Sequence, residues 1–193
     1  MAEDRNIHVK LAMADALGLL LIGWIAFMVG MFGLDQFDAG GLDAITAVSG
    51  VVGLGLIIVT IVAYLNENLL ATVIFGVLGF FFLAFPMISS TGMPYEAGAS
   101  AVGFIALALF IAGVVSLYQP VKLLPILLFI AAISFLLMAL WWNEMDSSEG
   151  FDNNFRGLMG MGMTLVFMVA TYMGAAILMM TIRGKAILPL LIK

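Results

Sequence analysis

The sequence predicts an all-α integral membrane protein built from six transmembrane helices, and three observations predict it. Six apolar stretches fill most of the 193-residue chain. Each is about 20 residues long, the length a helix rising about 1.5 Å per residue needs to cross a hydrocarbon core. Hydrophobic residues make up 64% of the chain and charged residues 10%, with a mean hydropathy of +1.21, far from a soluble composition. The stretches are also continuous, whereas a spanning barrel strand would alternate polar and apolar residues.

The first stretch, 11–32, follows a leader that contains Glu3 and Asp4. It is longer than a signal-peptide core and has no clear small-x-small cleavage site, so it reads as a retained helix. The second, 44–65, and third, 69–88, are separated only by Asn66-Glu67-Asn68, a tight turn. Pro86 falls near the end of the third, where it kinks or ends a helix. The fourth stretch is 98–118. The fifth, 123–142, carries Pro125 near its start and Trp141 and Trp142 at its end, where indole rings favour the membrane interface. A polar, acidic loop over 143–156 leads to the sixth, 157–182. Loops this short leave no room for a soluble unit, so 1–193 is expected to form a single membrane domain.

Charge sets the expected orientation. With six spans, both termini share a side with the second and fourth loops. Arg5, Lys10, Lys122, Arg183, Lys185 and Lys193 lie there, against Arg156 alone opposite. Basic residues concentrate on the cytoplasmic side, so both termini are expected in the cytoplasm of a multi-pass protein of the plasma membrane. The other side carries Asp35, Asp38, Asp43, Glu96, Glu144, Asp146, Glu149 and Asp152, a potential that repels anions at low salt.

Ionisable residues deep within a membrane mark proton relays, ion sites and voltage sensors. None lies deep in any predicted span; Asp15, near one end of the first, comes closest. It reads either as a helix N-cap or as a charge at the cytoplasmic mouth. No metal-ligand cluster, nucleophile–base pair or phosphate loop is present, and there is no cysteine. An enzyme is therefore not expected, nor is a cofactor or a nucleic-acid partner. Met159, Met161 and Met163 are soft copper-type ligands, but a spacing of two turns successive members to opposite sides of a helix. Gly50, Gly53 and Gly55 on the second stretch, Gly76 and Gly79 on the third, and Gly157, Gly160, Gly162 and Gly174 on the sixth are read as helix-packing positions, with direct lining of a narrow pore as the alternative. The wall of a pore among these helices would be apolar with sparse hydroxyls from Thr46, Ser49, Thr60, Thr72, Ser116, Ser134, Thr164 and Thr171. Such a wall suits a small neutral species better than a hydrated ion.

A series of landmarks resembles the AceTr family, the acetate uptake transporters or succinate–acetate permeases. Leu17-Gly18-Leu19 followed by Gly23 is similar to the end of the family's Asn-Pro-Ala-Pro-Leu-Gly-Leu motif. Tyr64, Asn68, Phe75, Gly79 and the run Phe80-Phe81-Phe82-Leu83 resemble its second-to-third helix segment. Gly103 and Lys122 fall at matching spacing, and Tyr172 precedes Gly184-Lys185-Ala186-Ile187-Leu188-Pro189, like the family's closing Gly-basic-x-x-Leu-Pro. Where the family has Asn-Pro-Ala-Pro, this chain has Met13-Ala14-Asp15-Ala16.

The resemblance implies a six-helix protomer with its own pore, assembled as a homo-hexamer in the bilayer and passing acetate or a similar small monocarboxylate. The positions matching the family's constriction on helices one, three and five are Ile22, Leu78 and Ser134. Leu17, Gly18, Leu19, Asn68, Phe75, Phe81 and Tyr172 are the further candidates for the pore and the substrate site, with Asp15 at the cytoplasmic mouth. Two other readings stand beside it. One is a channel for another small solute, such as urea, a short amide or a dissolved gas, and the other is a membrane assembly protein that transports nothing.

Overall fold

The computed structural model describes residues 14–37, 40–90, 94–145, 154–183 and 188. They form six helices: α1 (Asp15–Gly33), α2 (Gly40–Leu65), α3 (Leu69–Ser90), α4 (Tyr95–Ser116), α5 (Leu123–Asn143) and α6 (Asn154–Arg183). All six are long and apolar enough to cross a membrane. Three of them start before the apolar run does. α2 takes in Gly40 to Asp43, α4 begins at Tyr95 just after Pro94, and α6 takes in Asn154 to Arg156. Polar first turns suit a helix start, where acidic side chains meet the positive end of the helix dipole. Hydropathy alone cannot mark such turns.

Each helix packs on its chain neighbours, and α6 closes on α1, so the six make a ring in sequence order. Paired positions show that neighbours run antiparallel. Along the α1/α6 seam Gly23 meets Thr171, Gly30 meets Thr164 and Gly33 meets Gly160. Along α2/α3 Gly53 meets Leu83 and Thr60 meets Gly76, and along α4/α5 Gly98 meets Trp142 and Gly113 meets Phe129. Ala14, the 66–68 turn, the 117–122 connection and Arg183 therefore share one end, called here the inner end. Asp35, Glu144 and Asn154 lie at the outer end.

The glycines thus serve close helix contact, as small residues do in lipid, and none of the described ones lines the axial cavities described below. Gly157, expected from the sequence to pack against a neighbouring helix, does not, because a Cβ there would meet nothing within 4 Å. The three methionines split as their spacing requires. Met159 and Met163 are buried, and Met161 is on the outside. The 66–68 turn closes with Glu67 at φ 59° and with the Asn68 amide donating to the Ala63 carbonyl at 3.0 Å. This is the left-handed residue that commonly ends a helix.

Arg156 is the one buried charged side chain among the described residues. It lies on the first turn of α6, and its Nη2 donates to the Phe32 carbonyl at 3.0 Å. Nη1 sits 2.8 Å from Asp35 Oδ1, and the guanidinium lies 4.6 Å above the Phe32 ring. The planar fork of arginine suits these three contacts together. Arg156 therefore satisfies a carbonyl at the end of α1 and fastens the outer end of the α1/α6 seam.

Candidate functional site

Two cavities lie end to end inside the ring. The inner one, of about 170 Å³, is bounded by Asp15, Asn68 and Gln119 at the inner end and by apolar side chains beyond them. The outer one, of about 30 Å³, has room for a water or two. Five residues border both cavities: Ile22 of α1, Leu78 of α3, Leu109 of α4, Ala131 of α5 and Val166 of α6. They form an apolar waist with no hydrogen-bonding side chain in it.

Helical spacing carries the lining from one end to the other. On α1 the sequence Asp15, Leu19, Ile22, Ala26, Val29 advances in steps of four and three, which holds one face. On α5 Leu124, Leu128, Ala131, Phe135 and Met138 do the same. Outside the waist the lumen narrows against aromatic rings. Phe81 and Phe135 meet edge to face at 5.7 Å, Phe82 lies 6.4 Å from Phe135, and Phe85 stacks on Trp142 at 5.8 Å. Rings in tilted and edge contact pack as a rigid apolar plug.

The candidates read from the sequence divide into two groups. Ile22 and Leu78 sit at the waist, Leu19, Phe75, Asn68 and Asp15 line the inner cavity, and Phe81 lines the outer one. Gly18 stands behind the Phe75 ring and leaves it room. Leu17 is 52% exposed on the outside of the bundle, and Tyr172 is also exposed; neither lines a cavity. Ser134 is buried in the α5/α6 contact, where its side chain abuts Gly162 and its hydroxyl donates to the Ile130 carbonyl at 2.8 Å. The α5 position at the waist is Ala131, one turn earlier. Leu109 and Val166 complete the waist, and the sequence did not single them out. Of the hydroxyls expected on the wall, Ser49 alone borders a cavity. The hydroxyls of Ser49, Thr60, Thr72, Ser116 and Thr164 each donate to a carbonyl of the preceding turn. Inside an apolar bundle that is how a hydroxyl finds its partner.

Asp15 is not a cap. Ala14 occupies the N-cap of α1 and no side chain closes that helix end. Instead Asn68 Nδ2 donates to Asp15 Oδ2 at 3.0 Å. Asn68 is itself held in place: its Oδ1 accepts from the Ala71 amide at 3.3 Å and its carbonyl from the Thr72 amide at 2.9 Å. The start of α3 thus positions the carboxylate of α1 at the inner mouth.

Six membrane-length helices in a ring around an axial lumen define the class: a six-helix membrane bundle with its cavities inside a single chain. The chain is similar in structure to the bacterial acetate channel SatP, with a TM-score of 0.79 and 17% sequence identity over 93% of this chain and 98% of that one. The likeness shows a shared fold across nearly the whole of both chains, and it is the fold that the AceTr resemblance implies. No protein-family model matches the sequence, and no curated protein matches it.

Proposed function

We propose that this chain is a channel-like membrane transporter of acetate or a similar small monocarboxylate, which crosses the waist together with a proton. The observation that carries this reading is the lumen itself: two cavities in one protomer that meet at Ile22, Leu78, Leu109, Ala131 and Val166. No group there replaces the hydration of a bare carboxylate, whose burial without partners costs far more than the roughly 2–7 kcal/mol of an uncharged polar group. A neutral acid incurs only the smaller of the two. The shared fold with an acetate channel supports the same substrate class. A transport role also fits the lining better than catalysis, because its polar side chains are one carboxylate, two carboxamides and one hydroxyl.

Labelled acetate uptake into proteoliposomes, competed with propionate and with urea and compared with protein-free vesicles, tests the reading. Uptake at the protein-free rate would overturn it. Ile22→Ala widens the waist and is expected to raise acetate flux about two- to fivefold, since side chains at a constriction set its width. An unchanged rate would place the barrier elsewhere.

The assembly is proposed as a hexamer in the plasma membrane, with the inner end and both termini in the cytoplasm. The orientation rests on the distribution of basic residues along the sequence, six on the side of the termini against Arg156 on the other, and the number six on the family resemblance. Gly53, Gly79, Gly160 and Gly162 face helices of their own chain, so they carry no argument for a partner copy. Native mass spectrometry in mild detergent is expected to show six copies, and a monomer at every detergent concentration would remove the hexamer.

A further inference from the structure

The inner mouth presents an acceptor where a channel for anions would present donors. Asp15 borders the inner cavity; its Oδ2 takes the Asn68 N–H, and among the described residues its Oδ1 has no hydrogen-bond partner. Among the described residues Asp15 is the only titratable side chain in that lining. The turn before α3 contributes Asn68 and the connection after α4 contributes Gln119, while α5 and α6 contribute apolar residues. Lys122, the nearest basic residue in sequence to that lining, is not part of it, and its Nζ donates to the carbonyls of Leu117 and Gln119. A carboxylate solute would meet like charge here, with no cation among the described lining residues to offset it. A solute that donates a hydrogen bond would meet a positioned acceptor.

We infer that Asp15 is a solute-binding residue that makes the inner cavity a site for short neutral molecules with a donor-bearing head group, and that the channel therefore passes short primary amides as well as protonated acids. A primary amide has the shape of the corresponding carboxylic acid, with N–H where the acid has O–H. Its head would donate to Asp15 Oδ1, and the Gln119 carboxamide at the same end offers a donor for its carbonyl. Its methyl or ethyl tail would lie against Leu19, Ile74 and Phe75 and lead toward the waist. At about 170 Å³ the cavity exceeds the roughly 150 Å³ that accommodates a benzene ring, so acetamide and propionamide fit within it. The inference rests on the reading of this cavity as the solute's path, but it assigns a second substrate class and gives Asp15 the selective role.

The test is stopped-flow swelling of proteoliposomes in acetamide, with N,N-dimethylformamide as the amide that lacks an N–H, and labelled acetate measured on the same vesicles. Acetamide is expected to enter faster than in protein-free vesicles and to saturate. N,N-dimethylformamide is expected to saturate at about tenfold higher concentration, the scale of losing one charge-assisted hydrogen bond. Asp15→Asn should raise the acetamide half-saturation concentration about tenfold without lowering its maximal rate, and should leave N,N-dimethylformamide unchanged. Acetamide entry at the protein-free rate, or equal half-saturation for the two amides in the unmodified protein, would overturn the inference. Acetate uptake without acetamide uptake would leave the acetate reading standing and remove this one. Saturable, Asp15-dependent acetamide entry without acetate uptake would do the reverse.

Discussion

Ala131→Phe is expected to reduce solute flux to less than about a tenth of its normal value while the bundle stays folded. Ala131 is buried and borders both cavities, so its side chain points into the lumen at the waist. The added ring has somewhere to go. Apolar cavities of roughly 150 Å³ hold a benzene ring, and the inner cavity measures about 170 Å³. The substitution therefore fills existing space and adds apolar contact, which limits the overpacking that usually penalises small-to-large changes in a core. Ser134→Phe, three residues away, serves as the contrast. Its ring would be driven into Gly162, against which the serine side chain already packs, and would wedge α5 from α6. Folded protein without flux is expected for the first variant, and poorly folded protein for the second. Acetate or acetamide uptake, together with size-exclusion profiles in detergent, checks both. Normal flux through Ala131→Phe would mean that solute does not pass the waist.

That pair also shows where the sequence stops being informative. The helices were legible because lipid imposes a length and a composition on anything that spans it. The face each helix turns to the lumen was not legible, because lumen and lipid are both apolar here. On α5 the lumen-facing Ala131 and the outward Ile133 differ in size but not in polarity. Ser134 was placed at the constriction by its match to the family's position, and among the wall hydroxyls because it is polar. Its hydroxyl is satisfied by the Ile130 carbonyl, so polarity gave no indication of facing. On α1 the family resemblance named Leu19 and Ile22, and the structure shows them on one face with Asp15, in steps of four and three. Asp15 and Asn68 could be named separately, but their hydrogen bond joins residues 53 apart, and only the ring brings them together. Arg156 was read as a loop residue because the apolar run begins after it. Its burial depends on Phe32 of α1 and Asp35 just after that helix, which no local pattern in α6 reveals.

Gly160→Ala and Gly157→Ala are expected to move stability in opposite directions, although they lie one turn apart on the same helix. A Cβ on Gly157 would meet nothing within 4 Å. Replacing an unencumbered helical glycine with alanine removes backbone freedom from the unfolded chain and stabilises by about 0.5–1 kcal/mol. At Gly160 a Cβ would stand 2.6 Å from the Gly33 carbonyl carbon and 2.8 Å from the Leu34 amide nitrogen. Gly33 is equally confined from its side, with a Cβ there 2.5 Å from Gly160 Cα. These neighbours are backbone, so no side chain can rotate out of the way and the two helices must separate. Overpacking of ordinary cores costs about 1–3 kcal/mol, and this contact should fall at or above about 3 kcal/mol because its relief is a movement of whole helices. Separation would also draw Arg156 from the Phe32 carbonyl and weaken the outer closure of the ring. Thermal unfolding of the two purified variants in the same detergent measures the difference directly. Equal melting temperatures would mean that α1 and α6 do not close the ring through backbone contact at Gly33 and Gly160.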